Sequence, residues 1–158
     1  MCLSYCNRIT TQEDITCYKI MWLSNEGKLF SPMFPCKWEL GWRNTIRTKN
    51  LVRFDNEEKS LGPYVYHTYV SLDDTRIAFR WYKSNSRYRT DGVYVICECT
   101  IPKDSEYVFR GEVESPFRWM TAYGPEGDRI LSVDGYASTT LKITKILEKA
   151  NHGKVSEN

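Results

Sequence analysis

The chain has 158 residues, 41% of them hydrophobic and 27% charged, and a net charge of +2. That size and balance fit one folded domain that buries roughly 70% of its unfolded surface. They exclude a disordered or fibrous chain, and the charge is too mild to demand a polyanionic partner. No apolar run approaches the roughly 18 residues of a membrane-spanning helix. The polar N-terminus lacks a signal-peptide core, so a cytoplasmic location is expected.

Residues 1–15 are polar and irregular and read as a loosely held arm. Residues 16–22 (TCYKIMW) read as a first strand, ended by a turn at 24–27 (SNEG) in which Gly27 tolerates positive φ. Pro32 and Pro35 limit 29–34 to an edge or irregular segment. Residues 38–41 (WELG) form a short apolar stop before a basic loop. A short strand is expected at 51–54 and a solvated loop at 55–60.

Residues 64–70 (YVYHTYV) read as a strand, followed at once by a helix. Ser71 is its cap, Asp73 and Asp74 suit the positive end of its dipole, and it is expected from about Leu72 to about Tyr82. Leu72, Ile77, Ala78 and Trp81 form its apolar side. A polar, basic loop leads to 92–102 (GVYVICECTIP). Period-two alternation there puts Val93, Val95, Cys97, Cys99 and Ile101 on one buried face and leaves Glu98 as the acid on the other.

A turn at 102–105 and a strand at 107–110 come next, then a long excursion at 114–128, the best candidate for a lid or insertion. Residues 129–133 read as a strand, with a hairpin-type turn at Asp134–Gly135. The apolar positions 141, 143, 146 and 147 fit a strand at their start and a helix at their end, which leaves the type open. The tail from 148 to 158 is expected to fray. Strands outnumber helices and connections are short. The expected fold is therefore α+β: one globular domain over 16–147, mostly antiparallel twisted β-sheet with one main α-helix packed against it.

The six cysteines lack any CxxC spacing, and only two histidines are present, so reduced thiols are expected rather than a metal site. Cys97 and Cys99, two apart on one strand face, are poorly placed to bridge each other. No cofactor is called for: GxGxxG, P-loop, GxSxG and HExxH signatures are all missing.

Two constellations stand out. His67, among tyrosines in a strand, is a candidate acid–base group, with Glu98 or Glu112 as its distant partner. Arg76, Arg80, Lys83, Arg87 and Arg89 crowd the helix and its exit loop, interleaved with Trp81, Tyr82 and Tyr88. That mixture suits phosphate contacts with base stacking. Tyr66 beside His67, and Tyr136 in a small polar run, are candidate pocket-lining residues.

Several segments carry a pattern: CYKI (17–20), Ser31-Pro32, WELG (38–41), Gly62 with Tyr66-His67, Ala78 in the helix, VICECTIPKDSEYVFRGE (95–112) and YASTTLKITKI (136–146). In this order they resemble a loose family of small uncharacterised proteins of bacteriophages and gut bacteria, in which the turn is usually I-P-K-G-S. Asp104 stands here where glycine is usual. The resemblance implies an origin in phage or mobile DNA. At the level of fold, the chain is also similar to ADP-ribosyltransferase-like proteins. That likeness would give roles to His67, to Tyr94 or Tyr136, and to Glu98 or Glu112.

The expected function is a small non-enzymatic binding protein, a phage accessory, host-interaction or anti-defence factor that engages a host protein or a nucleotide ligand. Aromatic residues and Arg, the usual interface anchors, are abundant. Two alternatives are a nucleotide-handling enzyme using His67 with Glu98 or Glu112, and a nucleic-acid binder acting through 76–89.

Overall fold

The structure is a computed structural model. It describes residues 9–31, 37–41, 43–45, 52–55, 58–61, 66–85, 91–109, 121–123, 129–132 and 135–150. Among these residues it is mostly antiparallel β-sheet with a single α-helix. In chain order the strands are β1 (Ile9–Thr10), β2 (Ile15–Ser24), β3 (Leu29–Phe30), β4 (Lys37–Trp38), β5 (Arg43–Thr45), β6 (Val52–Asp55), β7 (Glu58–Leu61) and β8 (Tyr66–Tyr69). The helix α1 (Leu72–Asn85) follows, then β9 (Gly92–Ile101), β10 (Glu106–Phe109), β11 (Thr121–Tyr123), β12 (Arg129–Ser132), β13 (Gly135–Ser138) and β14 (Thr140–Lys149).

The centre is the pair β2–β9, antiparallel and in register from Ile15↔Ile101 to Ser24↔Gly92. Residues directly across from each other share a face. Cys17, Met21, Val95, Cys97, Cys99 and Ile101 therefore form one buried surface, as the alternation of 93–101 predicts, and Leu141 and Ile143 of β14 extend it. We call this the inner face. Ile20, Trp22 and Ile96 lie on the outer face and are also buried. There α1 packs against β2 and β9, with Thr75, Ala78 and Phe79 turned inward.

The helix starts where the sequence places it. Ser71 Oγ accepts the Asp74 N–H at 3.1 Å, and Thr75 Oγ1 donates to the Ser71 carbonyl at 2.7 Å. The side-chain oxygen satisfies a backbone donor that the first turn leaves without a helical partner. The helix runs to Asn85, one turn beyond its expected end.

Two turns show why particular residues stand where they do. Gly27 has φ 83° and donates to the Ser24 carbonyl at 2.9 Å, closing the β2–β3 hairpin. Asp104 has φ 65°. This left-handed conformation suits glycine, and Asp is among the few other residues that adopt it readily. Thr11 holds this turn, its hydroxyl donating to the Pro102 carbonyl at 2.8 Å while accepting from the Ser105 N–H at 3.0 Å.

Several segments differ from expectation. The arm expected to be irregular holds a two-residue strand, β1, paired to β10. Residues 58–61 are a strand paired with β6 rather than loop. Gly135 does not open a hairpin with the preceding strand: β12 pairs with β11, while β13 pairs with β10 and β8. The 141–147 stretch is strand throughout. β14 has two bulges, and the one between Ile143 and Lys145 turns Ile143 and Ile146 to one face although they are three residues apart; the other lies between Ile146 and Glu148. An extra residue in a ladder mimics helical spacing in the sequence. The tail expected to fray from 148 instead continues in β14 to Lys149. Ala150 is buried and donates its N–H to the Tyr94 carbonyl at 2.8 Å.

Candidate functional site

β13 and β14 are separated by Thr139 alone, yet they serve different neighbours. β13 pairs with β10 and β8, and β14 pairs with β9 and β5. One bent strand thus carries the chain from one wall of the sheet to the other. The first wall is β1-β10-β13-β8 and the second is β2-β9-β14-β5. They also meet at Tyr18↔Tyr69, the single registered pair between β2 and β8. A sheet joined at both ends in this way must curl around its inner face.

The inner surface of the first wall is aromatic. Tyr66 pairs with Ser138, Thr68 with Tyr136, Tyr107 with Ser138, and Phe109 with Tyr136, so all six share one face. The Tyr136 ring lies 5.9 Å from Tyr107 and 5.6 Å from Phe109, centroid to centroid. Tyr66 stands edge-on to Trp38, 4.8 Å away. Tyr66, Tyr107 and Tyr136 pack against the core cluster and are only half-buried.

Lys19 faces this surface from the second wall. Alternation along β2 puts it between Cys17 and Met21, opposite Cys97. Its Nζ donates to the His67 carbonyl at 2.8 Å. β8 meets β2 in register only at Tyr18↔Tyr69, and the Lys19 ammonium reaches the next part of β8. Around it the thiols stay protonated. Burial pushes Cys17 up to about 11, opposed by the Thr68 hydroxyl and the Lys19 charge, and pushes Cys97 up to about 12. Burial raises Cys99 well above its ordinary value too. All three are free and buried, so they act as small apolar residues rather than nucleophiles.

Among the described residues, the buried donors Trp38 Nε1 and Asn44 Nδ2 on this face have no hydrogen-bond partner. Trp38 is 3% exposed and belongs to the inner cluster. Asn44 pairs with Leu141 and so turns to the same side. No strand residue described on the inner face is acidic.

Of the residues singled out in the sequence, Tyr66 and Tyr136 come together on the inner face. His67 and Glu98 lie on the outer face, two strands apart with β2 between them. The Glu98 carboxylate turns toward β14, with Lys145 Nζ at 3.8 Å and Thr144 Oγ1 at 3.5 Å. Arg76 is held by Glu148 at 2.6 Å and by Asp73 at 3.6 Å. Arg80 is exposed on α1, and Trp81, Tyr82 and Lys83 follow in its later turns. Tyr94 stacks edge-on to Trp22 at 4.8 Å on the outer face. Glu112, Arg87, Tyr88 and Arg89 lie outside the described residues.

Sequence reasoning missed Lys19, Trp38, Asn44, Tyr107 and Phe109. For Lys19 a signal existed, a charge at an inward position between Cys17 and Met21. The other four depend on pairings across the sheet. Among the described residues no cluster of three or more metal-binding side chains occurs, and no helix is long and apolar enough to cross a membrane. No protein-family model, curated protein or solved structure matches the chain.

Proposed function

We propose that this chain is a small binding protein whose ligand, a nucleotide, is taken up against the aromatic inner face of the first wall. One observation carries the reading. Tyr66, Tyr107 and Tyr136 share the inner face and are half-buried against the core, which gathers three tyrosine rings on one surface. Such rings stack on bases, and the ammonium of Lys19 suits the charge that a nucleotide carries. Binding is favoured over covalent chemistry because burial keeps the lining thiols protonated. The resemblance to small phage and gut-bacterial proteins supports a role as an accessory factor in the host cytoplasm.

Calorimetric titration with a panel of nucleosides and nucleotides tests this. At least one member should bind, and Tyr136→Ala should weaken it by roughly fivefold to a hundredfold, the range of one lost stacking contact of ~1–3 kcal/mol. A panel that fails to bind, or a Tyr136→Ala protein that binds as well as the parent, overturns the reading.

A further inference from the structure

The outer face of the second wall carries a separate surface beyond the helix. Register places Thr16, Thr100, Lys142 and Arg43 side by side across β2, β9, β14 and β5. Adjacent strands lie about 4.8 Å apart, so this row spans roughly 14 Å. Tyr18, Glu98 and Lys145 form the row beside it. Ile20, Trp22 and Ile96, further along, are buried where the helix packs. Here, by contrast, Thr16 and Arg43 are exposed, and Tyr18, Thr100 and Lys142 are only half-buried.

Arg43 and Lys142 are like charges set directly opposite each other, an arrangement that destabilises a strand pair. The acids of these four strands do not offset it. There are two, and each is engaged: Glu98 by Lys145 at 3.8 Å and Glu148 by Arg76 at 2.6 Å. Asp14, just before β2 at the far end of the row, accepts the Lys103 N–H at 2.8 Å. Arg43 and Lys142 therefore have no ion-pair partner among the described residues. A neutral residue at either position would remove the repulsion. An anion bound between them turns it into an attraction.

We propose that this surface binds the backbone of a single-stranded nucleic acid. Arg43 and Lys142 meet its phosphates, the Thr16 and Thr100 hydroxyls add donors, and the Tyr18 ring takes a base. A guanidinium fork beside an ammonium suits phosphate oxygens. Single strands are held by a cationic track next to an aromatic platform, and a sheet face can supply both. An acidic peptide would meet the same charges but leave the ring unused. The surface lies on the opposite side of the sheet from the nucleotide site proposed above and does not depend on it.

The test is fluorescence anisotropy with a labelled oligothymidylate of about twelve nucleotides, from about 50 to 200 mM salt. The strand should bind at low salt and weaken as salt rises. The double variant Arg43→Gln with Lys142→Gln should bind it at least tenfold more weakly. Its plot of log K against log salt should be shallower by about 1.4, the loss of two single-strand phosphate contacts at ~0.7 each. Tyr18→Leu, which keeps apolar bulk, should weaken binding about fivefold or more. Tyr136→Ala, on the inner face, should bind the strand as the parent does. In urea the double variant should unfold at the parent's midpoint or above it, because a repulsion has been relieved.

No binding at low salt, or a double variant or Tyr18→Leu protein that binds like the parent, overturns the proposal. So does a polyglutamate peptide that binds more tightly than the strand, which would make the partner an acidic protein. A lower unfolding midpoint in the double variant also overturns it, since the two cations would then be structural. Binding lost in Tyr136→Ala but kept in the double variant moves the strand to the inner face, which overturns this surface and leaves the nucleotide reading standing.

Discussion

The two edges of β2 are built differently. Toward β9 every residue from Ile15 to Ser24 has a registered partner. On the other edge β8 contributes one pair, at Tyr18, and β3 contributes two, at Trp22 and Leu23. Residues 19–21 have no registered partner on that edge among the described residues. The first edge is held by facing apolar side chains such as Met21↔Val95 and Ile20↔Ile96. On the second, Lys19 stands at an inward position in place of an apolar residue, and its ammonium ties β2 to β8 through the His67 carbonyl. Stability belongs to the continuous edge, and the nucleotide contact proposed above to the interrupted one.

That division can be broken at its strongest point first. Met21 is fully buried in the β2–β9 ladder. Met21→Ala should cost about 2–5 kcal/mol of unfolding free energy, from lost burial and the cavity left behind. Urea denaturation measures it; a loss under ~1 kcal/mol would mean that the ladder does not bear the core.

The thiols sharpen the same point through pH. Their ordinary ionisation lies at 9.0, and in the fold it is raised to about 11 for Cys17 and about 12 for Cys97. Above pH 9 the unfolded chain therefore releases these protons first. The stabilisation is complete below pH 9 and falls as pH rises toward 11–12, by about 1.4 kcal/mol per pH unit for each thiol. Denaturation curves between pH 8 and 10.5 should show this decline, and Cys17→Ala should make it shallower. An unchanged slope in that variant would show that Cys17 ionises alike in both states.

The smallest effect lies on the outer face. The Arg76–Glu148 pair spans α1 and β14, but its side chains are 47% and 33% exposed. Solvent screening limits it, so Arg76→Ala should cost about 0.2–1 kcal/mol and less as salt is added. A larger, salt-independent loss would mean that the Arg76 stem helps to dock the helix by packing.

Much of the scaffold was legible in the sequence. The alternation of 92–101, the Ser71 cap with its two aspartates, and the Gly27 turn are signals carried within a few residues, and each appears in the fold as expected. Strand limits were less legible. In 141–147 two bulges broke the period-two pattern, and at 58–61 a charged segment gained its strand character from pairing with β6. Of the aromatic inner face, only Tyr66 and Tyr136 were visible in advance.

By itself, then, the sequence determined which faces of the central strands are dry, where the helix begins, and that its core cysteines behave as apolar residues. Such properties depend on side-chain period and on contacts between near neighbours in the chain. Only the tertiary structure decided that Lys19, Trp38, Asn44, Tyr66 and Tyr136 lie on one face of the sheet. Their meeting depends on strand register and on the bend at Thr139, which joins the two walls, and both are set by pairings between residues tens of positions apart.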